Sequence, residues 1–149
     1  MIEQCTKNIA LDSASIPVNI HQTDICNFNL DNAAISVLNF TLQFIAIDQR
    51  MALLQNIAQA TKKNGVLLLS EKIKFNDHTE NNEISDLHHQ FKRLNGYSDL
   101  EISQKRQALE DVLIPESIET HKERLLDAGF SRVFNCVQCF NFISFLAIK

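Results

Sequence analysis

Residues 33–70 read AAISVLNFTLQFIAIDQRMALLQNIAQATKKNGVLLLS, and this stretch decides the fold class. Ala33 to Leu38 is apolar apart from Ser36 and ends at Asn39, the pattern of a strand buried on both faces of a parallel sheet. From Asp48, in the position of a helix N-cap, Met51, Leu54, Ile57 and Ala58 form one apolar stripe. Lys62 and Lys63 then fall in the expected last turn, and Gly65 stands where a left-handed cap is wanted. Val66 to Ser70 is a second continuous apolar run. A strand, a helix and a strand at these spacings predict a crossover with parallel pairing, so the fold class is α/β.

The neighbouring segments extend this unit in both directions. Toward the N-terminus, Ile2, Cys5 and Ile9 recur at helical spacing and Leu11 to Pro17 is rich in turn formers. Val18 and Ile20 alternate with polar residues, which predicts a strand over 18–22 with Asp24 at its C-terminal end. Toward the C-terminus, Ile84, Leu87, His88, Phe91 and Leu94 make a helical stripe that Asn95 and Gly96 stop. Ser98-Asp-Leu-Glu101 is a capping-box pattern opening a second helix that runs to about Val112. Pro115 and Ser117 introduce a third, running to Ala128 and closed by Gly129. Val133 to Cys139 and Phe142 to Ile148 predict a terminal antiparallel hairpin. The expected organisation is one domain over 1–149, with a helical insertion at about 79–112 and a hairpin at about 131–148.

Composition narrows the function. The 149 residues are 45% hydrophobic and 21% charged, the make-up of a soluble globular domain. Fourteen Lys and Arg against 18 Asp and Glu give a net charge of −4, so no basic field is present and direct nucleic-acid binding is not expected. No apolar run approaches the roughly 20 residues that span a bilayer, and no long apolar leader opens the chain. The expectation is a cytoplasmic protein without a membrane segment, its four cysteines reduced. The three glycines lie too far apart to form a phosphate-cradling loop.

Few side chains suggest chemistry on spacing alone. Cys136 and Cys139 have C-x-x-C spacing but fall in a strand-like run, where i and i+3 point to opposite faces, so packing is expected and no metal site. His88 and His89, about 100° apart on a helix, suit one metal ion poorly and predict a solvated face with one buried imidazole. Lys105 and Arg106 look like an exposed cationic pair. Asp24 and Asn39 are more informative, because ligands of parallel α/β sheets bind outside the carboxyl edge. Asp24 suits an adenine amino group with Ile25 covering the ring; equally, Asp24 and Asn39 suit an N-cap and a turn.

Longer motifs carry a resemblance. Val37-Leu-Asn-Phe-Thr-Leu-Gln-Phe44, Leu69-Ser-Glu-Lys72, Leu87-His-His-Gln-Phe-Lys-Arg93, Asn95-Gly-Tyr-Ser98, Glu101-Ile-Ser-Gln-Lys-Arg106, Ser117-Ile-Glu-Thr-His-Lys122 and Gln138-Cys-Phe-Asn-Phe142 closely resemble the carboxy-S-adenosyl-L-methionine synthase family. The likeness implies a class I S-adenosylmethionine-dependent methyltransferase (Rossmann-like) sheet and an enzyme that converts S-adenosyl-L-methionine and prephenate to carboxy-S-adenosyl-L-methionine and phenylpyruvate. The product serves 5-oxyacetyl-uridine formation at the tRNA wobble position. The implied route captures carbon dioxide from prephenate on a sulfonium ylide. By position in the motif, Arg106 is expected to clamp the new carboxylate, for which its bidentate fork is suited. Asp24 and Ile25 match the adenine-side pair of the family, and Asn39 its ligand-contacting asparagine.

Set against that family, Met1 falls in the helix after the second strand, so the expected sheet lacks strands 1 and 2 and the glycine-rich loop. The resemblance thus implies a truncated product, a gene fragment or a start assigned too far downstream, with little or no S-adenosylmethionine binding by these residues alone. Family sheets run in the order 3-2-1-4-5-7-6, so 18–22 is expected either to pair beside 34–38 or to detach. The exposed edge predicts self-association, with a homodimer as the partner state. Two other readings stay open: a plain S-adenosylmethionine-dependent tRNA uridine methyltransferase, and a non-catalytic remnant or dimerisation module.

Overall fold

The computed structural model describes residues 2–11, 16–110 and 112–149; residues 12–15, inside the turn-rich stretch expected at 11–17, lie outside them. The described elements are α1 (Ile2–Ala10), β1 (Ala33–Asn39), α2 (Ile47–Ala60), β2 (Thr61–Lys72), α3 (His78–Leu94), α4 (Asp99–Glu110), α5 (Ile118–Asp127), β3 (Arg132–Cys139) and β4 (Phe142–Ile148). They build a four-stranded sheet in the order β1-β2-β4-β3, with β1 and β2 parallel and the other pairs antiparallel. The α/β class is therefore as expected, and the hairpin adds its second strand directly onto β2.

Strand alternation sets the layers. Leu67, Leu69 and Glu71 on β2 face the same way as their partners Ala147, Phe145 and Ile143 on β4, and all six are buried. Leu53, Leu54, Ile57 and Ala58 of α2 and Leu125 of α5 cover that side and close the core. Each of these leucine and isoleucine side chains contributes roughly 1.5–3 kcal/mol by leaving water. The opposite side carries Val66, Leu68, Ser70 and Lys72, all half-buried except Ser70, whose hydroxyl lies 2.8 Å from that of Ser144.

Four local expectations are corrected. Residues 18–22 form no strand: two alternating apolar residues are too few to hold an extended segment without a pairing partner, and Val18 is exposed. Asp48 is not the N-cap of α2 but lies in its first turn, after Ala46, where its charge still complements the helix dipole. Helix α2 ends at Ala60, so Lys62 and Lys63 belong to β2, and the left-handed residue is Asn64 (φ 63°), not Gly65. Gly65 is required for a different reason. A Cβ there would lie 2.7 Å from Thr61 Cγ2 and 2.9 Å from the carbonyl oxygens of Ala34 and Lys62, where the β1–β2 register shifts.

The last correction concerns Cys136 and Cys139, which are exposed on β3 rather than packed. A β-bulge between Asn135 and Val137 puts Cys136 out of register, and β3 is an edge strand with little cover.

Candidate active site

The parallel pairing ends at Asn39 opposite Ser70, and β2 runs on to Lys72, which marks the carboxyl edge of the sheet. Alternation sends the last two side chains of β2 in opposite directions. Glu71 turns into the covered layer, where its oxygens accept the backbone N–H groups of Leu42 and Gln43, each at 2.9 Å. Burial pushes its carboxyl up to about 7, although those N–H bonds and nearby Arg50 pull the other way. Gln43 returns the tie through its Oε1, which accepts Lys72 N–H at 2.9 Å. The turn that follows Asn39 is thus fixed to the end of β2 from both sides.

Lys72 turns the other way, into a cleft of about 510 Å³ between the sheet edge, α3 and α4. Arg106 lines that cleft from α4, with Lys105 beside it, and α3 contributes His88, His89 and Lys92. Asp86 and Glu110 are the lining carboxylates. Burial, with Lys92 and Arg106 nearby, lowers the Lys72 ammonium from its usual range. Burial also pushes His88 down to about 4, aided by Lys92, Lys72 and His89. The imidazole is neutral at pH 7 and packs edge-on against Phe142, with ring centres 5.0 Å apart.

An aromatic wall joins this cleft to Asn39. Phe40, next in the chain, meets Phe142 edge-on at 5.7 Å, and Phe140 lies 5.6–5.7 Å from Phe91 and His88. Phe40 (φ 52°) and Phe140 (φ 51°) both adopt the left-handed region that bulky side chains avoid. Two strained phenylalanines in one cluster mark a place where shape outweighs local backbone comfort.

The four residues singled out in the sequence do not form one pocket. Arg106 lines the cleft; Asp24, Ile25 and Asn39 do not. Asp24 caps the short 3-10 turn Ile25–Asn27, accepting Cys26 N–H at 2.9 Å, and Ile25 packs against the core. Cys26 Sγ reaches Gln49 Oε1 at 3.9 Å, which sets this turn beside the first turns of α2. That end of α2 follows directly from the carboxyl edge of β1. The pair and the cleft therefore border the same edge from different sides.

Sequence reasoning missed the buried framework behind the site. Arg50 is fully buried and donates to the carbonyls of Ile45 (2.9 Å), Gln43 (3.2 Å) and Ile114 (3.0 Å), and to Glu116. Glu116 also accepts Arg124, and the two guanidiniums overcome its burial and hold its carboxyl down to about 2. This network ties the turn after β1 to the segment leaving α4. In the sequence its traces are slight: Arg50 directly precedes the apolar stripe that opens at Met51, and Glu116 stands between Pro115 and the helix cap Ser117.

The fold is shared with solved structures. The apo S-adenosylmethionine-dependent methyltransferase SibL superposes over 99% of the chain and 40% of its own length at TM-score 0.68 and 16% identity. The mitomycin 7-O-methyltransferase MmcR does so over 99% of the chain and 38% of its own at TM-score 0.61 and 16% identity. The fold class is therefore the Rossmann-like α/β sheet that these methyltransferases share, of which the described strands form part. No protein-family model matches the sequence. Curated relatives do: proteins named carboxy-S-adenosyl-L-methionine synthase from Marinobacter nauticus and Hahella chejuensis are each 54% identical over all 149 residues, and one from Haemophilus ducreyi is 52% identical. The chain is similar over its whole length to carboxy-S-adenosyl-L-methionine synthases and spans about 60% of the length of these relatives.

Proposed function

We propose that these residues form the carboxylate-handling part of a carboxy-S-adenosyl-L-methionine synthase, a transferase that converts S-adenosyl-L-methionine and prephenate to carboxy-S-adenosyl-L-methionine and phenylpyruvate. The observation that carries the reading is Arg106 in a basic cleft at the carboxyl edge of a methyltransferase-type sheet, where ligands of such folds bind. The donor set suits a ligand ending in a carboxylate, since a guanidinium offers it two parallel N–H bonds. S-Adenosylmethionine supplies the activated methyl group that receives the new carboxyl.

Arg106 holds that carboxyl, Asp24 and Ile25 border the adenine, and Asn39 contacts the ligand from the end of β1. Glu71 keeps the Asn39 turn in place through Leu42 and Gln43. The protein acts as a homodimer in the cytoplasm and serves tRNA wobble-uridine modification through its small-molecule product. Arg106→Ala, made in a protein of the full family length, tests the assignment by calorimetry. Affinity for carboxy-S-adenosylmethionine drops at least tenfold while that for S-adenosylmethionine changes little, because only the former has the extra carboxylate. Equal losses point instead to plain methyl transfer.

A further inference from the structure

Clamping one carboxylate needs one arginine, yet the cleft is lined by four cations and two carboxylates. Lys72 and Lys92 stand out. Lys72 is half-buried at the end of β2, and the lysine one turn beyond His88 on α3 lowers its basicity further. Neither is in an ion pair among the described residues; the pairs there join Arg50, Arg93 and Arg124 to carboxylates. Two ammoniums held in mutual repulsion and partly out of water cost stability, and folding alone gives no return for it. A bound anion does.

We propose that Lys72 and Lys92 form a second anion subsite beside Arg106, which takes a carboxylate of a small dicarboxylate co-substrate while the aromatic wall of Phe140, Phe142 and His88 borders its carbon skeleton. The subsite rests on the proposed function for the identity of that co-substrate, but not for its own existence. Its position follows from the fold. Strand alternation aims Lys72 away from Glu71, and helical spacing puts Lys92 one turn from His88, so both reach the side of the cleft that faces the sheet.

Titration calorimetry of the chain with prephenate and with malonate, a dicarboxylate lacking the ring, tests this. Both bind, and Lys72→Met and Lys92→Met each weaken binding about tenfold, the loss of one charge-assisted hydrogen bond. Lys63→Met, exposed at the far end of β2 and outside the cleft, changes nothing. Binding below pH 6.5 also takes up protons, read as a dependence of the heat on buffer. A bound carboxylate offsets Lys72, Lys92 and His89 around His88 and raises its affinity for a proton. Lys92→Met lies on the helix surface and keeps the test open should Lys72→Met unfold. If malonate binds and the variants weaken it but prephenate does not bind, the subsite stands and the co-substrate reading falls. If prephenate binds equally well to the double variant, the subsite falls and the reading stands. Failure of both dicarboxylates to bind overturns the subsite.

Discussion

His121 sits fully enclosed on α5, its ring 5.5 Å from that of Phe145, and neither nitrogen has a hydrogen-bond partner among the described residues. Burial pushes its proton affinity down to about 4, and although Glu116 pulls the other way, Arg124 and Arg50 add to the depression. Between pH 6.5 and 4 the unfolded chain therefore binds a proton there that the folded chain refuses. Stability from this residue falls as pH drops through that window, by up to about 3 kcal/mol. Glu71 has the opposite sign. Its carboxyl is raised to about 7, so the folded form holds a proton that the unfolded chain releases above about 4.5, and its contribution falls as pH rises between the two. Urea unfolding from pH 4 to 7 separates them: His121→Phe makes stability fall more steeply with rising pH, and Glu71→Gln makes it rise. Arg50 shows a third effect. Arg50→Met leaves Glu116 short of a cation and three carbonyls short of a donor, and is expected to cost about 3–5 kcal/mol. Arg124→Met costs less, since Arg50 still holds Glu116.

Elements show where pattern and packing part company. Helices α4 and α5 begin where the sequence signals them, because capping is local: Ser98 and Glu101 close the predicted box, and Ser117 accepts Thr120 N–H. Gly65 belongs to the other class. Its cue as a helix cap is plain, yet its constraint comes from Ala34 on a neighbouring strand and from the chain folding back at Thr61. Gly65→Ala must displace backbone and is expected to destabilise by about 1–3 kcal/mol. Gly96→Ala, in open space at φ +88°, carries only local strain of about 1 kcal/mol. Thermal melts of the two variants rank them in that order. The stripe Leu87, Phe91 and Leu94 was legible as helical, but α3 buries none of its residues. Periodicity reports which side chains share a face; it does not say what covers that face.

Across the whole molecule, β1 is one of the two edges of the sheet among the described residues, and Ile35 (68% exposed) and Val37 (57%) lie open on it. A strand with free N–H and C=O groups and β-branched apolar side chains is a template for pairing. The isolated chain is expected to self-associate in sedimentation velocity, and Val37→Lys, a charge on that edge, is expected to restore a monodisperse monomer without lowering helix content. A monomer at high concentration before the substitution contradicts this.

The sequence by itself determined the α/β class, the starts of α4 and α5, the hairpin and the motifs that carry the family likeness, because each depends on local geometry or on a contiguous run of side chains. Only the tertiary structure decided that Lys72 and Glu71 part to opposite sides of β2, that Arg106 meets Lys72 and Lys92 in one cleft, and that Asp24 and Asn39 stand outside it. It alone revealed Arg50 joined to Glu116 across 66 positions. Those facts depend on which surfaces the sheet brings together, and burial, with the shifts in proton affinity that follow from it, exists only once the layers have closed.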